Sequence, residues 1–379
     1  MQSKISVLQV IPQLDVSGAS QGCIDVANYL EENHHNSVVM THSGKREKDI
    51  KKKGTKVILS PVHSKNPLVI LLNIFRILKA VNDHSIDIIH VRSRAPAWSC
   101  YFASKIAGKK LVSTFHGTYN FNNFIKKFYN SIMLRTDGTI AISHFIENEI
   151  KDKYPPLTKN LKVIPRGIDT TVFNPKNISQ VRMDQIMKKY LLESDSIKLL
   201  LPGRFSNWKG HVILVQAVAE VIQKIKTKVE VMFVGPDENS SIKQSIINKI
   251  ESLNLGNFFH FLGSTDEMAS IYAISDIVVS SSTDPEAFGR IAVESQAMGK
   301  FVVASNHGGS TETVINNETG FLYPPQDYQE LANMIIKAID QKKYNSSEVS
   351  KAGIKNVVDN YSVESMCKQT LEFYKKILS

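Results

Sequence analysis

The sequence has few cysteines and no apolar run long enough to cross a membrane. Its 379 residues include three cysteines, Cys23, Cys100 and Cys367, which lie far apart and cannot all pair. Free thiols are typical of a reducing compartment, so we expect a cytosolic protein. The most apolar segment, Leu68 to Leu78, contains an asparagine and an arginine and is shorter than the roughly 20 residues that a bilayer requires.

Two familiar nucleotide-binding motifs are also absent. No G-x-G-x-x-G follows the first predicted strand, and no G-x-x-x-x-G-K-[ST] occurs anywhere. The sequence therefore argues against a dinucleotide oxidoreductase and against a P-loop NTPase. The composition, with 42% hydrophobic and 22% charged residues, excludes a disordered chain and indicates a large core.

Acidic residues are scarce in the first half of the chain. The formal net charge is +10, and residues 1–175 hold 24 Lys and Arg against 13 Asp and Glu, which gives +11. Such a balance indicates an anionic partner, such as an acidic membrane face or an anionic substrate, or simply a solvated basic surface. Because no recognition motif accompanies the charge, we expect no nucleic-acid binding.

Short β-rich runs alternate with helical patterns along the whole chain, which predicts an α/β protein with parallel sheets covered by helices. The predicted strands are Ile5–Ile11, Ser37–Thr41, Val57–Leu59, Ile86–Val91, Lys110–Phe115, Thr139–Ile142, Leu161–Ile164, Ile197–Leu201, Val229–Val234, Phe258–Leu262, Asp276–Ser280, Phe301–Ala304 and Gly320–Tyr323. Asn66 and Pro67 are typical of a helix start, so a helix is expected over Pro67 to Val81.

The Gly and Pro residues between Pro165 and Pro175 are typical of a connection between domains. We therefore predict two doubly wound, Rossmann-like domains, at residues 1–170 and 176–361. A final amphipathic helix, at about 362–379, could pack on either domain and is assigned to the first.

The first candidate site follows the first predicted strand, where Asp15 to Ser20 are mostly small residues. Around Gly18 and Ala19, a phosphate could approach backbone N–H groups at the positive end of a helix. An ordinary strand-to-helix turn explains this composition equally well.

The second candidate is His116, which is followed by Gly117 at the carboxyl end of a predicted strand, where open α/β sheets bind ligands. Its imidazole could donate a hydrogen bond to a sugar or accept a proton. A histidine in a loop is more often simply solvated.

The third candidate lies between Gly203 and Gly210, which again follow a predicted strand. This loop contains two cations, Arg204 and Lys209, beside a predicted helix start. Two cations in that position are suited to stabilising a diphosphate leaving group. A solvated basic loop, with Trp208 covering the core, is the alternative.

The fourth candidate is the stretch from Thr283 to Glu294. Glu286 is expected at a helix start, and Glu294 about two turns later on the same helix. The two carboxylates could then hold two hydroxyl groups of an extended ligand. Backbone amides around Phe288 and Gly289 would face its phosphate. Paired glutamates more often form a solvated face, but the apolar residues between these two indicate burial, and a buried carboxylate needs a partner.

Taken in order along the chain, these motifs resemble those of the family-4 retaining glycosyltransferases. The matching stretches are the Ser17–Ser20 loop, His116-Gly117-Thr118, VIPRGIDTTVFNP at 163–175, Gly203-Arg204 to Lys209-Gly210, PEAFGRIAVE at 285–294 and Gly308-Gly309 to Glu312. The resemblance covers nearly the whole chain and is most specific from Gly203 to Pro324. It implies a GT-B fold, with two Rossmann-like domains facing across a cleft and the nucleotide-sugar donor held mainly by the second.

The resemblance also implies roles for individual residues. Glu294 matches the residue that holds the nucleotide ribose, and Glu286 matches the one that holds the donor sugar. Arg204 and Lys209 match the cations that stabilise the departing diphosphate. His116 matches a contact to the donor sugar near the reacting carbon.

Three positions depart from the family pattern. Gly18 and Ala19 follow Ser17 where two adjacent glycines are usual, although we keep both as donor-binding candidates. Arg166 replaces a common asparagine, and Arg290 replaces a frequent apolar residue. Arg290 is grouped with Phe288 and Gly289 as donor-binding.

The resemblance further implies retention of anomeric configuration, with the leaving phosphate taking the acceptor proton and no separate carboxylate nucleophile, unlike the two-carboxylate glycosidases. No metal and no cofactor are expected besides the nucleoside-diphosphate sugar. Similarity to bacterial members that build lipopolysaccharide core suggests an anionic envelope glycan or glycolipid as acceptor and GDP-mannose as donor. A nucleotide-sugar epimerase or hydrolase and a non-catalytic nucleotide-sugar-binding subunit are the alternatives.

Basic and aromatic segments of the first half could contact the inner face of the cytoplasmic membrane. The candidate residues are Lys45, Arg46, Lys48, Lys51, Lys52, Lys53 and Lys56, and Phe121, Phe124, Ile125, Lys126, Lys127 and Phe128. An amphipathic helix packed on its own sheet explains the second group equally well.

Overall fold

The chain forms two compact units, each with its own parallel sheet. The computed structural model describes residues 4–15, 17–51, 54–119, 123–157, 160–237, 240–342, 344 and 346–379. The first unit contains Met1–Gly167 and Val363–Ser379, and the second contains Ile168–Ser362. The chain therefore passes from one unit to the other within the predicted connection, and again just before its last helix.

The first unit has a seven-stranded sheet of order β3-β2-β1-β4-β5-β6-β7. Its strands are β1 (Ser6–Val10), β2 (Asn36–Thr41), β3 (Lys56–Leu59), β4 (Ile88–Val91), β5 (Lys110–Phe115), β6 (Gly138–Ala141) and β7 (Leu161–Val163). Its helices are α1 (Gly18–Glu32), α2 (Glu47–Lys51), α3 (Pro67–Asp83), α4 (Arg94–Ala107), α5 (Phe124–Ser131), α6 (His144–Lys153) and, from the end of the chain, α15 (Val363–Leu378).

The second unit has a six-stranded sheet of order β10-β9-β8-β11-β12-β13. Its strands are β8 (Ile197–Pro202), β9 (Val229–Val234), β10 (Phe259–Gly263), β11 (Ile277–Ser280), β12 (Phe301–Ser305) and β13 (Gly320–Tyr323). Its helices are α7 (Gln180–Lys189), α8 (His211–Lys224), α9 (Ser240–Ser252), α10 (Met268–Ile274), α11 (Arg290–Ala297), α12 (Ser310–Thr313), α13 (Tyr328–Asp340) and α14 (Ser347–Asn360).

The strand predictions are confirmed to within two residues at each end. They succeed because strands covered by helices on both faces are short, mostly apolar runs, as in β8 and β9, whose residues are all buried even though each contains one charged residue, Lys198 and Glu230. The predicted start of α3 is also confirmed, since the Asn66 side chain accepts a hydrogen bond from the Leu68 N–H and Pro67 occupies the first turn. No helix in the described part of the chain is long and apolar enough to cross a membrane.

The strand order reverses once in each sheet. The chain builds outward from β1 to β3 and then returns to place β4 on the other side of β1, and β8 and β11 have the same relation in the second sheet. At such a switch point the loops leave in opposite directions and open a crevice at the carboxyl ends of the two strands. The residues that follow β1, β4, β8 and β11 are therefore in position to bind ligands.

The last helix, α15, belongs to the core of the first unit. Buried side chains of α15, including Leu371, Phe373 and Ile377, cluster with residues of the sheet and of α1. A Cβ atom at Gly138 in β6 would lie 2.7 Å from Cζ of Phe373, so the missing side chain leaves room for this ring against the sheet.

We expect Leu371→Ala to lower the free energy of unfolding by about 3 kcal/mol, because it leaves a cavity in this core. The matched control is Leu378→Ala in the same helix, where the side chain is 37% exposed, and its effect is expected below about 0.5 kcal/mol. Urea denaturation of both variants measures the difference. Equal losses would contradict the packing of α15 described here.

Candidate active site

Two loops of the second unit are bonded to each other at its switch point. The Ser281 hydroxyl, after β11, donates a hydrogen bond to the Gly210 carbonyl at 3.0 Å, and the Thr283 N–H donates to the Trp208 carbonyl at 2.7 Å. Gly210 has a φ of +71°, and a Cβ atom there would lie 1.8 Å from the Ser281 carbonyl oxygen. Glycine is therefore required, and the loop carrying Lys209 is fixed against the loop carrying Glu286.

Lys209 and Glu286 form an ion pair between these loops. The Lys209 Nζ lies 2.6 Å from Oε1 of Glu286, and the Ser282 hydroxyl donates a hydrogen bond to the same oxygen at 2.6 Å. The ammonium also lies 4.4 Å from the centre of the Trp208 ring. Both charged side chains are mostly buried, so each is oriented by the other and neither is screened as a surface pair would be. Arg204, in the same loop as Lys209, is exposed.

Glu294 is buried in α11 and has two partners. Nε of Arg290 lies 2.6 Å from Oε1 of Glu294, and the Tyr272 hydroxyl donates to Oε2 at 2.9 Å. Burial and then the charge of Glu294 raise the pKa of Tyr272 well above its ordinary value, so the phenol keeps its proton and remains a donor. The expectation that a buried Glu294 needs a partner is confirmed, and Arg290, the departure from the family pattern, supplies it.

The predicted helix start at Glu286 is wrong. The helix begins at Arg290, with Gly289 as its N-cap, and Glu286 lies in the preceding loop. Gly289 has a φ of +84°, where a Cβ atom would lie 2.8 Å from Oγ1 of Thr313, so the backbone turns sharply before the helix. The two glutamates therefore do not share a helix.

The loop after β12 supports the backbone around Glu286. The Gly309 N–H donates to the Glu286 carbonyl at 2.6 Å, and Cβ atoms at Gly308 and Gly309 would collide with the backbone of Glu286 and Phe288. Nε2 of His307 lies 2.9 Å from the Ser282 carbonyl oxygen. The two adjacent glycines thus allow one loop to lie directly on the other. Ser282 and His307 were not among the predicted site residues.

His116, in the first unit, directly follows β5. Both of its ring nitrogens are buried without a hydrogen-bond partner among the described residues. Burial, and after it the charges of Arg166 and Arg92, lower the pKa of His116 well below its ordinary value. The imidazole is therefore neutral at physiological pH, with one nitrogen able to donate and the other able to accept.

The turn after β1 opens α1, as expected from its small residues. Ser17 is the N-cap, and its hydroxyl accepts a hydrogen bond from the Ser20 N–H at 3.2 Å. A Cβ atom at Gly18 would lie 2.8 Å from Nη2 of Arg166, so this glycine makes room for a guanidinium. Ala19 is half-buried in the first turn. Donor binding by Gly18 and Ala19 stays a prediction.

The predicted site residues thus fall into two groups. The second unit holds Arg204, Lys209, Glu286, Phe288, Gly289, Arg290 and Glu294, and the first holds Gly18, Ala19 and His116. In the part of the chain that the structure describes, no three His, Cys, Asp or Glu side chains are placed as metal ligands.

Comparison with known proteins points to one enzyme class. A model of glycosyltransferase family 4 matches residues 16–172, and a model of glycosyl transferases group 1 matches residues 182–356. The crystal structure of a glycosyltransferase from Rickettsia africae ESF-5 superposes with a TM-score of 0.92 and is 35% identical, covering 100% of this chain and 99% of that one.

Two curated relatives are more distant. The N-acetyl-alpha-D-glucosaminyl L-malate synthase of Bacillus anthracis is 25% identical over 306 residues, which are 78% of this chain and 76% of that protein. The lipopolysaccharide 1,2-N-acetylglucosaminetransferase of Salmonella typhimurium is 26% identical over 246 residues, 62% of this chain and 61% of that protein.

His211, the first residue of α8, generates a prediction about pH. Burial lowers its pKa to about 3, and its ring lies 5.0 Å from the rings of both Phe205 and Phe233. The unfolded chain binds a proton at this histidine near pH 6.5, whereas the folded chain does not. Stability should therefore fall as the pH drops below about 6.5, by up to about 1.4 kcal/mol per pH unit for this group.

We expect His211→Gln to reduce the slope of unfolding free energy against pH between pH 7 and 5. Urea denaturation across that range measures the slope. The control is His34→Asn at an exposed histidine with a left-handed backbone that asparagine tolerates, which should leave the slope unchanged. A slope that does not change in His211→Gln would contradict a neutral buried imidazole.

Proposed function

Because this chain is a family-4 glycosyltransferase of the GT-B fold, we propose that it moves a hexose from a nucleoside-diphosphate sugar to a hydroxyl group of a bacterial envelope glycan or glycolipid, with retention of anomeric configuration. The observation that carries the proposal is the Lys209–Glu286 ion pair at the switch point of the second unit. This arrangement offers a cation for a diphosphate beside a carboxylate for sugar hydroxyls.

The second unit would bind the donor. Glu294 has both carboxylate oxygens engaged, by Arg290 and Tyr272. A carboxylate accepts about four hydrogen bonds, so two acceptor positions remain for ribose hydroxyls. Arg290 and Tyr272 fix the orientation of these positions before the donor arrives, which lowers the entropic cost of binding.

Lys209 and Arg204 would stabilise the departing diphosphate. In the proposed reaction the bond from the anomeric carbon to the phosphate oxygen breaks, and the acceptor oxygen bonds to the same face of that carbon. The acceptor proton passes to the departing phosphate oxygen, so no separate carboxylate nucleophile and no metal are assigned. Negative charge builds up on the diphosphate as this happens, and the ammonium of Lys209 is already positioned to interact with it.

Glu286 would hold hydroxyl groups of the donor sugar. Its Oε1 accepts from Ser282 and Lys209, which holds the carboxylate in place. Phe288 and Gly289 precede α11, where backbone N–H groups could face a phosphate. In the first unit we assign His116 to a sugar hydroxyl, because a neutral imidazole with two unpaired nitrogens suits a hydroxyl group, which both donates and accepts.

The donor that we would test first is GDP-mannose, which the family resemblance suggests. The names of the two curated relatives refer to N-acetylglucosamine, so the donor panel must include its UDP derivative as well as UDP-glucose and UDP-galactose. An anionic acceptor is supported by the net charge of +11 in residues 1–175, and one relative is named for L-malate, a dicarboxylate. The name of the Salmonella relative supports a lipopolysaccharide as the acceptor to test first, and the family resemblance suggests its core.

We also propose that the first unit contacts the inner face of the cytoplasmic membrane. An apolar surface lies on α3, α4 and α5, and its exposed members are Leu68, Leu71, Leu72, Phe75, Phe102, Ile106, Phe124, Ile125 and Phe128. Trp98 of α4 stacks near Phe128 of α5, with ring centres 5.6 Å apart, and the Ser99 hydroxyl of α4 donates to the Ile70 carbonyl of α3. Helix α4 thus contacts both α3 and α5, so the exposed apolar residues lie on neighbouring helices, as expected of an interaction surface.

Basic residues accompany this apolar surface. Lys126 and Lys127 lie on α5 between its exposed aromatic residues, as expected for contact with anionic lipid headgroups. The Lys45–Lys56 candidates are less suited, since Arg46 is paired with Asp49 and Gln21. Lys52, Lys53, Phe121 and the side chain of Lys51 lie outside the described residues.

The membrane proposal predicts that Phe124→Ser with Ile125→Ser abolishes most binding to vesicles containing anionic lipid. Both side chains are more than 70% exposed, so the fold should be unaffected. A matched control is Val181→Ser with Val358→Ser, two exposed apolar residues of the second unit. Vesicle cosedimentation at low and physiological salt measures binding, and equal binding by both double variants and the parent chain would overturn the proposal.

The transfer proposal predicts that Glu286→Gln and Lys209→Ala each lower the turnover number by about a hundredfold, because one transition-state interaction is worth about 3 kcal/mol. The control is Lys228→Ala, which removes a cation paired with Glu193 in the same unit, just before β9 and so at the opposite edge of the sheet from the switch-point loops. Release of nucleoside diphosphate from GDP-mannose and the UDP sugars, with core glycan acceptor, measures turnover. Near-normal rates in both variants would refute the assignment.

A further inference from the structure

Arg92 is a buried arginine that is only partly bonded. It directly follows β4, is 4% exposed, and its Nε donates to Oε1 of Gln9 at 2.6 Å. Its Nη2 is buried and has no hydrogen-bond partner among the described residues. A buried guanidinium with an unmet N–H group is costly, and a neutral amide does not balance its charge.

Arg166 brings a second guanidinium to the same place. A Cβ atom at Gly22 would lie 2.3 Å from Nη1 of Arg166 and 3.6 Å from Nη1 of Arg92. Both arginines therefore lie against one glycine of α1, and Arg166 also lies against Gly18 in the first turn of that helix. The two guanidiniums repel one another and the positive end of the helix. An anion bound between them would attract all three and offset that repulsion.

This cluster lies where the first sheet reverses its strand order. The start of α1 follows β1, Arg92 follows β4, and these strands are neighbours. His116, at the end of β5, is close enough that the charges of Arg166 and Arg92 both lower its pKa. The first unit thus presents two guanidiniums, a neutral imidazole and a helix start at its ligand-binding edge.

We infer that Arg92 and Arg166 bind an anionic group of the acceptor, a phosphate or a carboxylate, at the start of α1. The inference rests on the proposed function for the identity of the molecule that carries the anion. The donor diphosphate already has Arg204 and Lys209 in the second unit, so the cations of the first unit are assigned to a different anion. Planar guanidiniums suit either group because both offer two oxygens to the fork of N–H donors. Arg166, which replaces a common asparagine, would then select acceptors that carry such a charge.

Calorimetric titration of inorganic phosphate into the full chain tests the inference without requiring turnover. It is done in an Arg204→Ala, Lys209→Ala background, so that the proposed phosphate site of the second unit does not contribute. We expect Arg92→Gln and Arg166→Gln each to weaken phosphate binding at least tenfold. The control, Lys79→Gln, removes one positive charge from an exposed position of α3 and should leave the affinity unchanged.

A second titration distinguishes the acceptor anion from the donor phosphates. With Arg204 and Lys209 intact, Arg92→Gln should bind GDP and UDP as the parent chain does. A tenfold loss of nucleoside diphosphate affinity would instead assign the cluster to the donor and overturn the inference, as would unchanged phosphate affinity in both arginine variants.

Since Arg92 is buried, Arg92→Gln could fail to fold, which circular dichroism and thermal melting would reveal. Arg92→Lys then carries the test together with Arg166→Gln. The lysine keeps the charge but loses the fork, so phosphate affinity should fall between the values of the parent chain and Arg166→Gln. Full affinity in Arg92→Lys and in Arg166→Gln would contradict the inference. Failure of sugar transfer, by contrast, would leave these titrations unaffected.

Discussion

The reversal of strand order within each sheet is the constraint on which both candidate sites depend. A crossover connection covers the ends of most neighbouring parallel strands, but at the β1/β4 and β8/β11 pairs the connections leave toward opposite edges. The backbone N–H and C=O groups of the loops that follow these strands must therefore find hydrogen-bond partners in each other or in side chains. In the second unit, the Ser281 and Gly210 contact satisfies that need and places Lys209 against Glu286. The first unit has guanidiniums at the equivalent place.

The buried charged side chains of the two units differ in their hydrogen-bond partners. Glu286 and Glu294 are both held by a cation and by a neutral hydroxyl, from Ser282 and Tyr272 respectively. A hydroxyl donor stabilises a carboxylate without cancelling its charge, which leaves acceptor capacity for a ligand. Arg92 in the first unit is arranged differently, since its Nε donates to the neutral amide of Gln9 and its Nη2 has no hydrogen-bond partner among the described residues. The second unit thus offers paired charges at its switch point, and the first offers a buried guanidinium with an unmet N–H group.

Much of the fold could be predicted from sequence, because buried parallel strands are apolar runs that local composition identifies. The position of Glu286 could not, since the apolar residues up to Glu294 suggested one continuous helix. The helix instead begins only after Gly289, whose backbone is left-handed and where a side chain would collide with Thr313, a residue more distant in sequence. The hydrogen bond from Tyr272 to Glu294 could not be predicted either. Tyr272 lies on α10, and no local pattern connects a buried tyrosine with a carboxylate on another helix.

The position of α15 in the first unit has a consequence for biosynthesis. This helix completes the core around Gly138, yet the ribosome makes it only after every residue of the second unit. The second unit is continuous in sequence and can fold as soon as it emerges, whereas the first must wait with an uncovered apolar face. We therefore expect the second unit to complete its fold before the first, which is the reverse of the order of translation. A stalled or truncated nascent chain would leave the first half, with its basic surface and arginine cluster, exposed to chaperones and proteases.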